Sequence, residues 1–458
     1  MTFRIVIFLI ILLSVNTLWA QIQPGEMKAQ DADAQARLDD LEARLSRVEK
    51  ALEQILTGLA RLLPEEETGT LVQASLTLAE ETEGLAAEVS ALESEEAAEE
   101  LPQDQVVAAD PGADSRMPYG GYMEMHVNHD NLNPTVLDFH RFVLFYGHQF
   151  NDRIRFVGEL ELEHSLVEGG EASGELELEQ AYLDFVLNPN FSFRAGMMIT
   201  PMGIVNERHE PASFNGVERP FVDTVIIPAT WFGQGAGLVG DLGKGFSFKA
   251  FAMSSLNASF FSADEGFRDG RQKGFFDNAS HVSGVGRLEY AGISNVNLGT
   301  SFWSGNTGFD FDVSGRIRIF EFDGEWNWKR LSTRGQFAIT HLENAGEMNR
   351  AAQLQSGVNP NIAERMRGYY LEGGLQLLPL QFPHQLVAFY RFEDFDTQFR
   401  MPAGFLPLNQ FDRSAHVLGL TYFPHPDIAF KFDYNIMDNS SSVVKAFNRW
   451  NFGLGWWF

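Results

Sequence analysis

Ile428-Ala429-Phe430-Lys431-Phe432-Asp433-Tyr434-Asn435-Ile436-Met437 is the stretch on which the fold turns. Ile428, Phe430, Phe432, Tyr434 and Ile436 alternate with Ala429, Lys431, Asp433, Asn435 and Met437. Successive side chains of a strand point to opposite faces, so one face here is apolar and the other is polar and charged. The same period governs 154–163, where Ile154, Phe156, Gly158, Leu160 and Leu162 alternate with Arg155, Val157, Glu159, Glu161 and Glu163. It governs the end of the chain too, where Trp450, Phe452, Leu454, Trp456 and Phe458 fall on one face. A strand with one face for lipid and one for water belongs in a closed transmembrane sheet.

Outward from these stretches, alternation places strand centres near Met125, Phe142, Gly158, Ala181, Ala195, Leu238, Ala250, Gly286, Thr300, Phe322, Phe337, Gly373, Tyr390, Leu418, Phe432 and Leu454. Short turns such as those at 151–152, 189–190 and 242–243 alternate with long connections over 202–233, 257–281 and 342–367. An even number of strands with short turns at one end and long loops at the other predicts an all-β, 16-stranded antiparallel transmembrane barrel over residues 119–458. Trp326, Trp328, Trp450 and Trp456 suit the aromatic girdles at the membrane interfaces. The strand around Phe322 is irregular: Ile317 and Ile319 are out of phase with Phe320, Phe322, Trp326 and Trp328, which implies a bulge or a misplaced boundary. A soluble β-sandwich is the rival reading, and it leaves the outward apolar band unexplained.

Composition agrees. The chain has 42 Gly, 40 Phe and no Cys, and is 44% hydrophobic, as expected when apolar residues alternate with polar ones. The lack of Cys removes disulfides and thiolate chemistry.

Residues 1–20, with Arg4 ahead of an apolar run from Ile5 to Leu13 and Ala20 before Gln21, read as a signal peptide. Beyond them no run approaches the roughly 20 apolar residues of a membrane-spanning helix. Within 21–63, Leu38, Leu41, Leu45, Val48, Leu52, Ile55, Leu59 and Leu62 recur at alternating spacings of three and four, the seam of a coiled coil leaning toward three or four strands. Residues 64–118 read as an acidic, partly helical linker. Residues 21–117 carry 7 basic and 23 acidic residues and those from 118 onward 26 and 39, out of a net charge of −28. This balance disfavours nucleic acid as a partner.

With the strands placed, Arg194-Ala195-Gly196-Met197-Met198, Pro201, Gly203, Asn206 to Pro211, Arg219-Pro220 and Gly233 to Gly240 resemble the phosphate-selective porin family. That resemblance implies a trimeric, 16-stranded outer-membrane channel in which the third external loop folds inward. A coiled coil ahead of such a barrel also resembles certain trimeric porins for small organic acids. The terminal Phe458 resembles the signal by which the barrel-assembly machinery recognises its clients. The expected partners are therefore outer-membrane lipid, that machinery, two further copies of the chain, and small ions or solutes. The coil would stand in the periplasm, where binding another envelope component is the alternative to trimerisation.

Asn206, Glu207, Arg208, His209, Glu210, Arg219 and Asp223 concentrate charge in the third loop and are the candidate pore constriction. A structural role, as ion pairs that hold the loop, is equally open. Phosphate selectivity needs a cationic path, yet Glu159, Glu161, Glu163, Glu175, Glu177 and Glu179 fall on the inner face of the third and fourth strands. Arg141, Arg155, Arg194, Lys249, Arg287, Arg391, Arg413, Lys431 and Arg449 could form a basic ladder across from them. Opposed walls of that kind would give a transverse field with little net preference, so phosphate specificity is not expected.

No enzyme, cofactor or metal is expected: His126, His129 and Asp130 begin a loop, and no spacing of the remaining histidines assembles a catalytic triad. Passive diffusion of small hydrophilic or ionic solutes is the leading expectation. A plugged barrel serving as tether, adhesin or receptor is the alternative.

Overall fold

In the computed structural model the described residues are 119–165, 174–275, 277, 280–307 and 313–458. The signal segment, the seam from Leu38 to Leu62 and the acidic stretch 64–118 lie outside them. The strands run β1 (Tyr119–Asp130), β2 (Val136–Asn151), β3 (Ile154–Glu163), β4 (Glu175–Asn188), β5 (Phe191–Ile199), β6 (Phe232–Gly243), β7 (Phe246–Ser254) and β8 (Val282–Ile293). They continue with β9 (Val296–Thr307), β10 (Gly315–Trp328), β11 (Leu331–Leu342), β12 (Arg365–Gln376), β13 (Gln385–Arg400), β14 (Asp412–His425), β15 (Ile428–Asn439) and β16 (Asn448–Trp457). Every centre placed by alternation lies inside one of these strands. Each strand is antiparallel to its sequence neighbours, and β1 pairs with β16 from Tyr122↔Trp457 to Asp130↔Arg449, closing the barrel. Closure leaves no unpaired edge, which is what allows a sheet to sit in hydrocarbon.

One end of the barrel carries short connections, most of them two-residue hairpins. Lys244 and Gly245 show why these fit: both have positive φ (55° and 82°), the geometry whose twist matches that of paired strands. The opposite end carries the long connections 200–231, 255–281 and 343–364. Among them are the short helix α1 (Gly203–Asn206), a π-helical turn at Val222–Ile226, and helix α2 (Ala345–Ser356).

The irregularity expected in β10 is absent. Its ladders to β9 and β11 run without a register shift. Phe320, Phe322, Trp326 and Trp328 are exposed on the outside, while Ile317 and Ile319 are fully buried on the inside. The two isoleucines keep phase perfectly well; what they face is not water. They join an apolar core that lies within the barrel, built from inward residues such as Phe251, Trp303, Met366 and Phe395 together with Met202, Val222, Ile226, Ile227, Phe261 and Phe267 from the two longest loops. Burying a side chain of this size contributes on the order of 1.5–3 kcal/mol, so these loops are docked parts of the fold.

Candidate functional site

The connection 200–231 contains Pro201, Pro211, Pro220 and Pro228, which cannot sustain strand pairing, so it leaves the sheet and turns into the lumen. Asn206 fastens its two ends: the side-chain amide donates to the carbonyls of Thr200 (2.7 Å) and Trp231 (3.0 Å), and Trp231 N–H donates to Asn206 Oδ1 (2.7 Å). Between these ends the loop touches the wall on many sides. Ile204 N–H meets Gln336 on β11 (3.3 Å), Asn215 Nδ2 meets Glu372 on β12 (2.9 Å), and Val222 N–H meets Glu393 on β13 (3.2 Å). Val217 N–H donates to Asp433 on β15 (2.6 Å), and Asn128 on β1 donates to Glu218 (2.8 Å). On β16 the approach is closer still: a Cβ at Gly455 would lie 2.3 Å from the Pro211 ring, which only glycine avoids.

The remaining residues expected at the constriction are placed as follows. Glu207 accepts from Lys249 Nζ (2.7 Å), Arg208 is half exposed and 3.6 Å from Glu325, and Arg219 donates to Thr230 Oγ1 (2.7 Å). His209 and Glu210 are buried. Asp223 is fully buried, and Gln336 Nε2 donates to its Oδ1 at 2.8 Å. Burial pushes the Asp223 carboxyl up to about 7 against the opposing effect of that hydrogen bond, with Glu393 and Asp323 adding to the rise and Arg334 reducing it. A second loop lies over the first. Arg268 and Arg271 from 255–281 donate to backbone carbonyls of Thr224, Pro228, Ala229 and Thr230.

The six acidic residues of β3 and β4 do stand on adjacent strands, but the basic residues form no separate ladder. Arg141 sits between Glu124 (3.1 Å) and Glu161 (3.6 Å), and Arg155 and Arg194 share Asp184 (2.6 and 3.5 Å). Arg287 reaches Glu289, Glu321 and Asp323, Arg391 reaches Glu372 and Glu393, and Arg413 reaches Asp264. Lys431 donates to the Gly216 carbonyl (2.7 Å) and lies over the Phe214 ring; Arg449 lies over Phe447. Glu175 and Glu177 are both held by Lys273 from the loop 255–281. Glu163 is partly exposed at the loop end of β3. On β3 and β4 like charges face each other, Glu161 across from Glu177 and Glu163 across from Glu175; elsewhere bases stand beside acids, so the lumen charges there are interleaved.

The partners Glu124, Asp184, Glu372, Glu393 and Asp323 were not singled out by sequence, although the spacing of Arg391 and Glu393 by two already puts them on one face. His126, His129 and Asp130 do not converge: His126 pairs with Glu124 and Glu218, His129 bonds Thr135, and Asp130 accepts from its own turn. Other groups with ligand chemistry do converge among the described residues, namely Asp138, His140 and His164, and separately Glu159, Glu179 and His209. A cavity of about 360 Å³ adjoins the loop, lined by Arg208, Ser213, Asn215, Glu325, Arg334 and Glu372 among others.

No protein-family model matches the chain. A protein of Aquifex aeolicus (strain VF5), described as "Uncharacterized protein", is 33% identical over 347 residues, covering 73% of this chain and 79% of that one. Among solved structures, the chain is similar at 12% identity to a trimer form of OmpT, an outer membrane protein of Vibrio cholerae, with a TM-score of 0.46 over 74% of this chain and 98% of that one. An anion-selective porin from Comamonas acidovorans gives 12% identity and a TM-score of 0.47 over 74% and 98%. OmpF of Salmonella typhi in complex with daunomycin gives 12% and 0.49 over 74% and 97%.

Proposed function

The chain belongs to the same family as the Aquifex aeolicus protein, and from the contents of its lumen we propose that it is an outer-membrane porin: a passive channel for small hydrophilic or ionic solutes, narrowed by residues 200–231. The observation that carries this reading is the polar anchorage of that loop to inward-facing Gln336, Glu372, Glu393 and Asp433, inside a closed barrel whose outer face is apolar. Charges fixed in a narrow lumen set which ions pass. Here Arg141, Arg155, Arg194, Lys249, Arg287 and Arg391 each stand beside an acid, so little discrimination between anions and cations is expected. The cavity between Arg208, Glu325, Arg334 and Glu372 is polar enough to form part of the solute path. In this reading the short turns face the periplasm, Phe458 marks the chain for assembly, residues 1–20 are removed on export, and residues 21–63 zip three barrels together with 64–118 as spacer.

A second reading is favoured by one observation. The loop is tied to strands on every side, and the apolar core formed with 255–281 fills part of the bore. A barrel so occupied would be a plugged tether or receptor. Purified protein in a planar bilayer separates the two. A porin gives small conductance steps in groups of three, with a reversal potential near zero in a KCl gradient. A silent membrane from correctly folded barrel overturns the channel reading and leaves the plugged one.

A further inference from the structure

Three ligand atoms converge where the loop 200–231 meets β3 and β4. His209 Nε2 lies 3.4 Å from Glu179 Oε2 and 3.9 Å from Glu159 Oε1, and all three atoms lie within 4.8 Å of one another. All three side chains are buried, at 3%, 1% and 1% exposure, and none of the three atoms has a hydrogen-bond partner among the described residues. Burying such groups without hydrogen bonds is costly.

The tautomer of His209 is fixed by its other nitrogen. Nδ1 faces the Asn206 carbonyl at 3.0 Å, and a carbonyl can only accept, so Nδ1 carries the hydrogen. Nε2 is then free to offer a lone pair toward two carboxylate oxygens. Glu179 Oε2 is at ion-pair distance from Nε2, 3.4 Å, but outside hydrogen-bonding geometry. A divalent cation is well served. Bonds of about 2.0–2.2 Å from imidazole nitrogen and carboxylate oxygen to Zn²⁺ set ligand atoms some 3–4 Å apart, and two carboxylates balance its charge. The Nδ1–H to carbonyl contact is the outer support usual for a metal-bound histidine. Glu159 is also braced, its other oxygen accepting from Gln180 Nε2.

The second cluster, nearer the loop end, fails the same test. Arg141 Nη2 lies 2.7 Å from His140 Nε2, and a guanidinium only donates, so Nε2 must accept. The hydrogen of His140 is forced onto Nδ1, the atom that faces Asp138.

We propose that Glu159, Glu179 and His209 bind a first-row divalent metal ion of the Zn²⁺ class, clamping the third loop to the β3–β4 wall. Imidazole with carboxylates suits zinc among the available ions, and water would complete the coordination. The site does not depend on whether the barrel conducts.

The test is metal content of full-length protein, folded with and without a chelator, loaded with Zn²⁺, desalted and measured by mass spectrometry, with folding checked by circular dichroism. Wild type and His164→Ala should each retain a single ion per chain. Glu179→Gln should lose affinity by at least the ~10–100-fold that removal of an outer support alone causes. Wild type that retains no zinc, Glu179→Gln that binds as wild type does, or loss of the ion in His164→Ala would each overturn the proposal. Should Glu179→Gln fail to fold, X-ray absorption on zinc-loaded wild type decides instead: one imidazole among oxygen ligands supports the site, and two or more imidazoles, or none, overturn it.

Discussion

Asn206 and Trp231 close a ring of two hydrogen bonds, side-chain amide nitrogen to carbonyl at 3.0 Å and backbone nitrogen to Oδ1 at 2.7 Å, across the neck of the loop that enters the lumen. With the third bond to Thr200, one buried side chain reinforces the backbone bond from Thr200 N–H to the Trp231 carbonyl (2.8 Å) in fixing where the loop starts and ends. Asn206→Ala strands buried backbone groups, at roughly 1–3 kcal/mol each. The expected result is a barrel that still folds but whose loop is cut faster by protease and whose unitary conductance becomes larger and noisier. Proteolysis and single-channel records identical to wild type would show that the neck is held elsewhere.

Arg391 is the cationic hub of the β12–β13 wall. It reaches Glu372 (3.1 Å), Glu393 (2.8 Å) and the Asn215 carbonyl (3.2 Å), and Glu393 in turn accepts from Val222 in the loop. Removing one partner of a buried pair leaves an uncompensated charge, which costs about 3–5 kcal/mol. Arg391→Ala should therefore destabilise the barrel by an amount in that range, read as a lower urea midpoint of unfolding in detergent. Arg391→Met combined with Glu393→Gln should recover part of it, because neither residue is then charged. If the double variant is no better than the single, the loss does not come from the charge of Glu393 and lies with Glu372 or with packing.

Asp223 gives the loop a pH dependence. Its folded pKa, raised to about 7, stands above its ordinary value, so the fold prefers the protonated acid. That preference is fully present below the ordinary carboxylate range and is lost as pH rises through about 7, when a charge must be held in a dry site beside Glu393 and Asp323. Docking of the loop should weaken progressively from about pH 4 and level off above about pH 7, read as falling protection from hydrogen exchange across 222–226. Asp223→Asn should flatten the profile. A wild-type profile that is already flat, or one that strengthens with rising pH, would refute the assignment.

The barrel was legible because alternation depends only on lipid outside. Every strand centre could be placed without knowing what fills the lumen. The β10 irregularity was misjudged for the converse reason: Ile317 and Ile319 look out of phase only if the inside is assumed to be wet. The core they join includes Ile226 and Ile227, distant in sequence, and nothing local announces that two loops fold in to build it. The interleaved charges were hidden in the same way, since Arg287 meets Asp323 only through the pairing of β8, β9 and β10. The convergence of His209 on Glu159 and Glu179 needed the loop's path as well as the strand register.

The two faces of β10 can be told apart by solvent. Phe322 is half exposed on the outer surface, and Ile319, three residues away, is fully buried on the inner one. Arginine at position 322 would stand in hydrocarbon and should cost about 2–4 kcal/mol if it lies near the bilayer midplane, less toward an interface. Ile319→Ala should cost about 2–5 kcal/mol wherever the protein is folded, because the cavity it leaves lies between wall and loops. Folding titrations in vesicles of two acyl-chain lengths distinguish these cases. The penalty of Phe322→Arg should change with bilayer thickness, while that of Ile319→Ala should stay constant and be accompanied by loosening of 200–231. Equal dependence on thickness at both positions would mean that Ile319 also meets lipid, and the core inside the barrel would have to be abandoned.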